Sequence, residues 1–380
     1  MQKNKYINRI MIMIFIIILI PFLSVLAIKE AIIPDTVYQG WQIGSLLCMI
    51  LITCSVRKKS FKINWTTALF IMYHMVILGS TFLKQGFSSG ILVVTAVSIL
   101  IFILLQTSYF NTMLGSVSVI VTLTLIVNFW TLLREKGNEN ANFFIGGKNA
   151  LSIFLIPGAF LLIINSLNQY GKIKRITMII VVMCFVSVVI GASTTGVLTA
   201  IIAVIFMVLS KKNNVNKKVY VIAIFIVYVL FIIFSEYFLA TQSWIKFTVL
   251  LGKDSTLTSR TIIWNLTKEI ISKNWLFGAG RGESFSYVNA WGGTVTMHEA
   301  HNFILEILME GGVVALTIYV ILLYKIIRRL NIKNIRHKII FIALCAILVN
   351  GLTESVVNNL FVTIILGVAC RYANEKGVSS

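Results

Sequence analysis

Apolar stretches of about 20 residues, the length a helix needs to cross a bilayer, recur from one end of the chain to the other. Twelve such spans are expected, at roughly 10–28, 38–56, 63–83, 88–107, 110–133, 150–168, 174–192, 195–210, 218–235, 308–327, 338–352 and 356–370. Composition agrees. The chain is 58% hydrophobic and 12% charged, where a soluble domain is about 45–50% apolar and about 25% charged. The expected fold is therefore all-α, a polytopic integral membrane protein. The first run, Ile10 to Ile28, is long and no small-residue cleavage site follows it, so it is expected to remain as a span. Very short turns separate the 174–192/195–210 pair and the 338–352/356–370 pair, which read as tight hairpins or re-entrant elements.

Charge sets the expected orientation. With the N-terminus in the cytoplasm, two thirds of the 33 basic residues fall in cytoplasmic segments around 3–9, 57–62, 172–175, 211–218, 325–338 and 371–376. Short basic loops on one side are what the positive-inside rule requires. Of the 13 acidic residues only Glu375 falls on that side, and both termini are expected there. The net charge of +20 is then an orientation signal, the partner is the lipid bilayer, and no nucleic acid is needed to explain it. The five cysteines lie within or at the end of apolar runs, so neither disulfides nor a thiolate metal site is expected.

The chain thus divides into helices 1–9 (1–235), an external loop (236–301) and helices 10–12 (302–380). The loop is much longer than any other connection, and such loops are usually functional or disordered. It contains Trp244, Trp264, Trp275 and Trp291, residues that suit a membrane interface or the face of a sugar ring. Within it, Ile262, Ile263, Leu266, Ile270 and Ile271 make a helical stripe. Ser259 can cap that helix, and Arg260 and Trp264 share a face. The expectation is an amphipathic helix on the outer surface. The "LFGAGRG" that follows (276–282) has G-x-G-x-G spacing and no preceding strand. It is read as a turn whose N–H groups and Arg281 approach an anion, rather than as a dinucleotide fingerprint.

Two of the four histidines close the loop in "MHEAHNFILE". His298 and His301 are three apart, one short of the H-E-x-x-H spacing that puts two imidazoles on one helix face. No third ligand is evident, so no metal and no other cofactor is expected. From Asn302 onward the spacing is helical, and Gly311-Gly312 leads into an apolar run to Ile327. His301 then sits roughly 10–15 Å above that run at the water boundary, with Glu306 about 140° around the helix from it. Taken alone, His301 reads either as a polar cap or as a general base for a sugar hydroxyl, for which a neutral imidazole is well suited.

From Arg260 to Ala315 the sequence resembles the O-antigen ligase/polymerase family, integral membrane enzymes that assemble bacterial surface polysaccharides. The resemblance rests on Arg260…Trp264, on Gly278-Ala279-Gly280, and on His301-Asn302 with nine residues before Gly312. "FFIGGKNAL" at 143–151 is similar to the family's Gly-x-x-Asn segment and carries Lys148 and Asn149. The pattern departs from the family at Ser259, at Ala315, and at Ser193-Thr194-Thr195-Gly196, where an arginine is usual in place of Thr194. The resemblance implies a GT-C-like helical fold and two external cations holding a lipid-linked diphosphate: Arg260, with Arg281 or Lys148 in place of the missing arginine. It implies His301 as catalytic base, with Asn302, His298, Trp264, Gly278, Gly280 and Gly312 as motif or acceptor-proximal residues.

The implied reaction is a metal-independent, inverting glycosyl transfer from an undecaprenyl-diphosphate-linked oligosaccharide, at the outer face of the bacterial cytoplasmic membrane. A flippase and a chain-length regulator are the implied partners. Ile-, Lys- and Asn-rich usage hints at an AT-rich genome, which favours a repeat-unit polymerase of capsule or exopolysaccharide over a ligase. A polysaccharide transporter is the reading from a different class. Transporters place polar groups near midspan, and here the spans hold little beyond His74, Asn128, Asn165 and Glu354.

Overall fold

The structure is a computed structural model and describes residues 2–23, 33–56, 64–135, 143–209, 217–239, 260–288 and 293–375. Ser259, Trp244 and Trp291 lie outside them. Each of the twelve expected apolar intervals overlaps a helix: α1 (Gln2–Leu23), α2 (Asp35–Ser55), α3 (Trp65–Gln85), α4 (Ser89–Leu105), α5 (Phe110–Arg134), α6 (Lys148–Tyr170), α7 (Arg175–Ile190), α8 (Thr194–Leu209), α9 (Lys217–Leu239), α11 (Phe303–Arg329), α12 (Ile335–Asn350) and α13 (Leu360–Asn374). A further helix, α10 (Arg260–Lys273), lies in the long loop. By length and composition α2, α3, α5, α6 and α11 are apolar enough to cross a membrane, with five shorter apolar helices beside them.

Burial separates the centre of the bundle from its rim. Helices α6, α12 and α13 are buried along nearly their whole length, whereas α2 buries only Tyr38, Ser45 and Met49 and α7 only Val181, Cys184, Ser187 and Val188. In a membrane protein an exposed aliphatic faces lipid, so these rim helices need no amphipathic stripe.

One end of the bundle carries cations on helix C-termini. Lys217 Nζ donates to the carbonyls of Ile327 at 2.9 Å and Leu330 at 2.6 Å. Arg329 bonds the Asn374 amide oxygen at 2.7 Å, and Arg371 bonds the Gln106 carbonyl at 3.0 Å. Positive groups satisfy the orphan carbonyls there. The opposite end, called here the site end, gathers the C-terminus of α3, the loop after α10, the start of α11 and the α12–α13 connection.

A break in α11 shapes the site end. Gly312 has φ 63° and ψ −165°, which interrupts the helix. The freed groups are satisfied by an extended segment that runs in alongside. Val313 N–H donates to Trp275 O at 2.9 Å and Val314 N–H to Leu276 O at 3.2 Å, while Met309 O accepts from Ala279 N–H at 2.7 Å and Glu310 O from Gly280 N–H at 3.1 Å. Irregular backbone is tolerated at membrane depth only with such partners. A Cβ on Gly312 would lie 2.3 Å from Leu276 O, and one on Gly278 would lie 2.5 Å from the Glu310 carbonyl carbon. The two strands of chain touch backbone to backbone, which only glycine permits.

The bundle is all-α, and the loop adds one short hairpin. Strands β1 (Phe285–Val288) and β2 (Thr294–Met297) pair antiparallel, Phe285 opposite Met297 and Val288 opposite Thr294. Alternating Phe285, Tyr287 and Val295, Met297 give the period-2 pattern of a strand, but four residues are too few to stand out in a loop.

Candidate active site

The loop residues fold into a small core of their own on top of the bundle. Ile263 and Trp264 from α10 pack with Phe285, Ala300, Leu305 and Met309. Trp264 is 1% exposed, so it is neither an interfacial belt residue nor a platform for a sugar. The apolar face of α10 is turned onto protein. Of the loop tryptophans described, Trp275 is the exposed one, at 59%.

The α12–α13 connection, residues 351–359, is where the site is assembled. The carbonyl of Gly351 accepts from Phe303 N–H at 2.7 Å. Leu352 O accepts from the Asn302 side-chain amide at 2.9 Å. Thr353 O accepts from Arg260 Nε at 2.7 Å, and its hydroxyl pairs with that of Thr195 at 2.8 Å. Three consecutive residues thus tie α8, α10 and α11 together. The connection read from sequence as a tight hairpin or re-entrant element is a nine-residue hub, and Glu354 belongs to it rather than to a helix.

Asn302 caps α11: its side-chain oxygen accepts from Ile304 and Leu305 N–H, both at 3.1 Å. Capping fixes the residue before it. His301 has φ 48°, an uncommon left-handed conformation for a residue with a side chain. Its N–H donates to Ser355 Oγ at 2.9 Å, and Ser355 Oγ donates to Glu306 at 2.9 Å. The Ala300 N–H also donates to Glu306, at 2.5 Å. Glu306 therefore holds the backbone of the histidine and does not touch its ring.

The ring faces Glu354. His301 Nδ1 lies 3.6 Å from Glu354 Oε2, and the other oxygen of Glu354 pairs with the Arg260 guanidinium. Glu354 and Arg260 are buried, at 1% and 6% exposure, whereas the histidine side chain keeps 20% of its surface. An arginine, a carboxylate and an imidazole thus stand in series, with only the imidazole reaching solvent.

A second pair lies beside it. Arg281 sets Nε and Nη2 on the two oxygens of Glu310, each at 3.1 Å, and Nη2 also meets Asn358 Oδ1. Asn358 Nδ2 closes the ring on Glu310 at 2.7 Å. Planar two-point contact is the strong geometry for arginine and carboxylate. Above it, the amides of the Gly278–Arg281 turn are already used: Gly278 N–H donates to Asn274 O, Ala279 and Gly280 to α11, and Arg281 N–H to Thr81 Oγ1 at 2.8 Å. The turn is a packing device, and its expected role as an anion cradle is corrected accordingly.

A cavity of about 340 Å³ reaches Ser355, which accepts from the His301 N–H, and Asn358, which bonds Glu310. Phe22, Ile153, Phe154 and Phe361 give it apolar walls, while Ser355, Asn358 and Glu299 give it a polar side. Glu299 stands at its margin, and the surrounding protein, with Glu354 and Glu310 nearby, raises its carboxyl above the ordinary range. Apolar walls with a few converging polar groups are the usual make-up of a ligand site.

The other sequence candidates are spread around this centre. Lys148 is half-buried at the start of α6, one turn before Ser152, whose hydroxyl reaches Asn350 at 3.3 Å. It has no ion pair with a described residue. His298 is exposed just after β2, its Nδ1 3.3 Å from Gly282 O. Thr194 opens α8. Among the described residues no group of three or more His, Cys, Asp or Glu is arranged to hold a metal ion. Glu310, Asn358 and Ser355 were not candidates from sequence, and Glu354 stood out only as an acid inside an apolar run.

Residues 179–320 match the family model described as O-Antigen ligase. The match supports an O-antigen ligase/polymerase-like family and a glycosyltransferase-like activity. It spans Arg260, Arg281 and His301 and stops short of the hub that positions them. No curated protein and no solved structure matches the chain.

Proposed function

We propose that this O-antigen ligase-type chain polymerises oligosaccharide repeat units carried on a polyprenyl diphosphate, at the outer face of the bacterial cytoplasmic membrane. The observation that carries the reading is the series Arg260–Glu354–His301, buried at one end and open at the imidazole. An acceptor hydroxyl attacks the anomeric carbon from the face opposite the diphosphate. Its proton passes to the outward nitrogen of His301, and the bond from the anomeric carbon to the diphosphate oxygen breaks with its electron pair on that oxygen. Glu354, facing Nδ1, stabilises the imidazolium that forms and fixes the ring. A gap of 3.6 Å in the free protein is the loose geometry that substrate binding tightens.

The leaving diphosphate needs cations more than it needs a proton. Arg281 keeps its Nη1 for that purpose, and Lys148 keeps its ammonium. Arg260 is committed to Glu354 and Thr353 in the free protein, so as a diphosphate ligand it would first have to release the carboxylate. Its part here is to orient Glu354 toward the imidazole. The lipid tail stays in the bilayer while the sugar enters the cavity beside Ser355 and Asn358. A flippase would deliver the donor, and a chain-length regulator would act on the product.

The description of the matching family favours a second reading, a ligase that moves finished glycan to another acceptor. Both use the same site, and a His301→Ala strain separates them. A polymerase leaves single repeat units displayed outside, and a ligase leaves long unattached polymer. Lipid-linked units trapped on the inner leaflet would instead identify a transporter and end both enzymatic readings.

A further inference from the structure

At the end of the bundle away from the site, helices α1, α5, α6 and α7 enclose a groove of about 510 Å³ that takes no part in the reaction above. Its lining is graded along the helix axes. Lys174 and Tyr170 stand at the rim, with the ammonium 3.3 Å from the ring centroid. Next come amides and hydroxyls: Gln169 Nε2 bonds Asn165 Oδ1 at 2.9 Å, and Ser118 and Thr177 lie beside them. Deeper, Val119, Leu123, Leu162 and Ile180 are apolar, and Thr122 among them spends its hydroxyl on the Ser118 carbonyl at 2.8 Å. Asn165 is five residues from the end of α6, roughly 7.5 Å along the axis.

That order of cation, then amide and hydroxyl, then hydrocarbon is the order of a glycerophospholipid read from phosphate to acyl chain. The walls are exposed faces of lipid-facing helices. Leu123 is 56% exposed and Ile176 is 59%, so an occupant can enter sideways from the bilayer. No acidic residue lines the groove, and Lys172 and Arg175 flank Lys174 in the sequence. Polar side chains on a lipid-facing surface are costly, and the ester carbonyls of a glycerophospholipid supply acceptors for amide N–H groups at that depth. The cation–π contact holds Lys174 in place without neutralising it. We propose that this groove is a binding site for an anionic phospholipid, with the phosphate on Lys174 and the glycerol backbone against Asn165 and Gln169.

The test is native mass spectrometry of the full-length protein, delipidated in detergent and given phosphatidylglycerol or phosphatidylcholine in turn. Wild type should retain phosphatidylglycerol preferentially. Lys174→Ala should reduce that retention roughly fivefold, the equivalent of about 1 kcal/mol for one lysine at a membrane surface. Asn165→Leu should reduce retention of both lipids, and an unchanged melting temperature in each variant keeps folding apart from binding. Equal retention of the two lipids by wild type, or unchanged phosphatidylglycerol binding in Lys174→Ala, would overturn the assignment.

Discussion

Two buried arginine–glutamate pairs sit side by side at the site end, and they are wired differently. Glu310 gives both carboxylate oxygens to Arg281 and closes the ring through Asn358. Glu354 divides its oxygens, one to Arg260 and one toward the ring of His301. The first is a closed pair that fastens the Gly278–Arg281 turn to the broken helix α11. The second is an open series whose last member reaches solvent. Burial of charge costs both pairs desolvation. Only the open one ends on a group that can exchange a proton with a substrate.

Disrupting the open series should have the largest effect. Arg260→Ala leaves Glu354 buried without its counter-ion, a change that costs about 3–5 kcal/mol. Elongation of lipid-linked glycan should be abolished, and the melting temperature in detergent should fall. Arg260→Lys restores the charge without the planar fork that spans Thr353 O and Glu354, so activity should return poorly. Full activity in Arg260→Ala would show that Glu354 needs no partner.

Arg281→Ala should cost a similar 3–5 kcal/mol by stranding Glu310, but here a paired change should separate stability from function. Replacing both partners by apolar residues of similar volume is often neutral, so Arg281→Met with Glu310→Met should recover most of the melting temperature. The donor KM should stay raised, because the Nη1 contact proposed for the diphosphate is gone. Recovery of both stability and KM would make this pair purely structural.

Smaller effects mark the edges of the comparison. Gly280→Ala adds a Cβ 2.5 Å from Thr81 Cα at a residue with φ 89°. It should destabilise by about 1–3 kcal/mol, the usual scale for strain at a special backbone position, and thermal unfolding would read it. His298→Ala, exposed and outside both networks, should leave kcat within a few-fold of wild type. A loss as large as that of His301→Ala would tie the two histidines into one unit.

Local pattern made the helices legible, because an apolar run needs nothing outside itself to be recognised. It also placed Arg260 and Trp264 on one face, and His301-Asn302 at the head of a helix. The wiring was not legible. Arg260 and Glu354 are 94 residues apart, and a carboxylate at the edge of an apolar run looks the same whether it faces a span or a hub. The glycines of 278–282 fit an anion turn and a packing turn equally well, and only the neighbouring backbone of α11 decides between them. A charged residue inside an apolar stretch was the one available pointer, since such groups are retained when they have a partner and a use.

The most direct test of the open series is the initial rate of glycan elongation by purified protein in lipid nanodiscs, with lipid-linked repeat units, chelator and no added metal. Wild type should elongate under these conditions. His301→Ala should lose about 10²–10⁴-fold in rate, the worth of general base catalysis, with its melting temperature kept. Elongation by His301→Ala at a rate near that of wild type would contradict the assignment of His301 as the base, and with it the role given to Glu354 and Arg260.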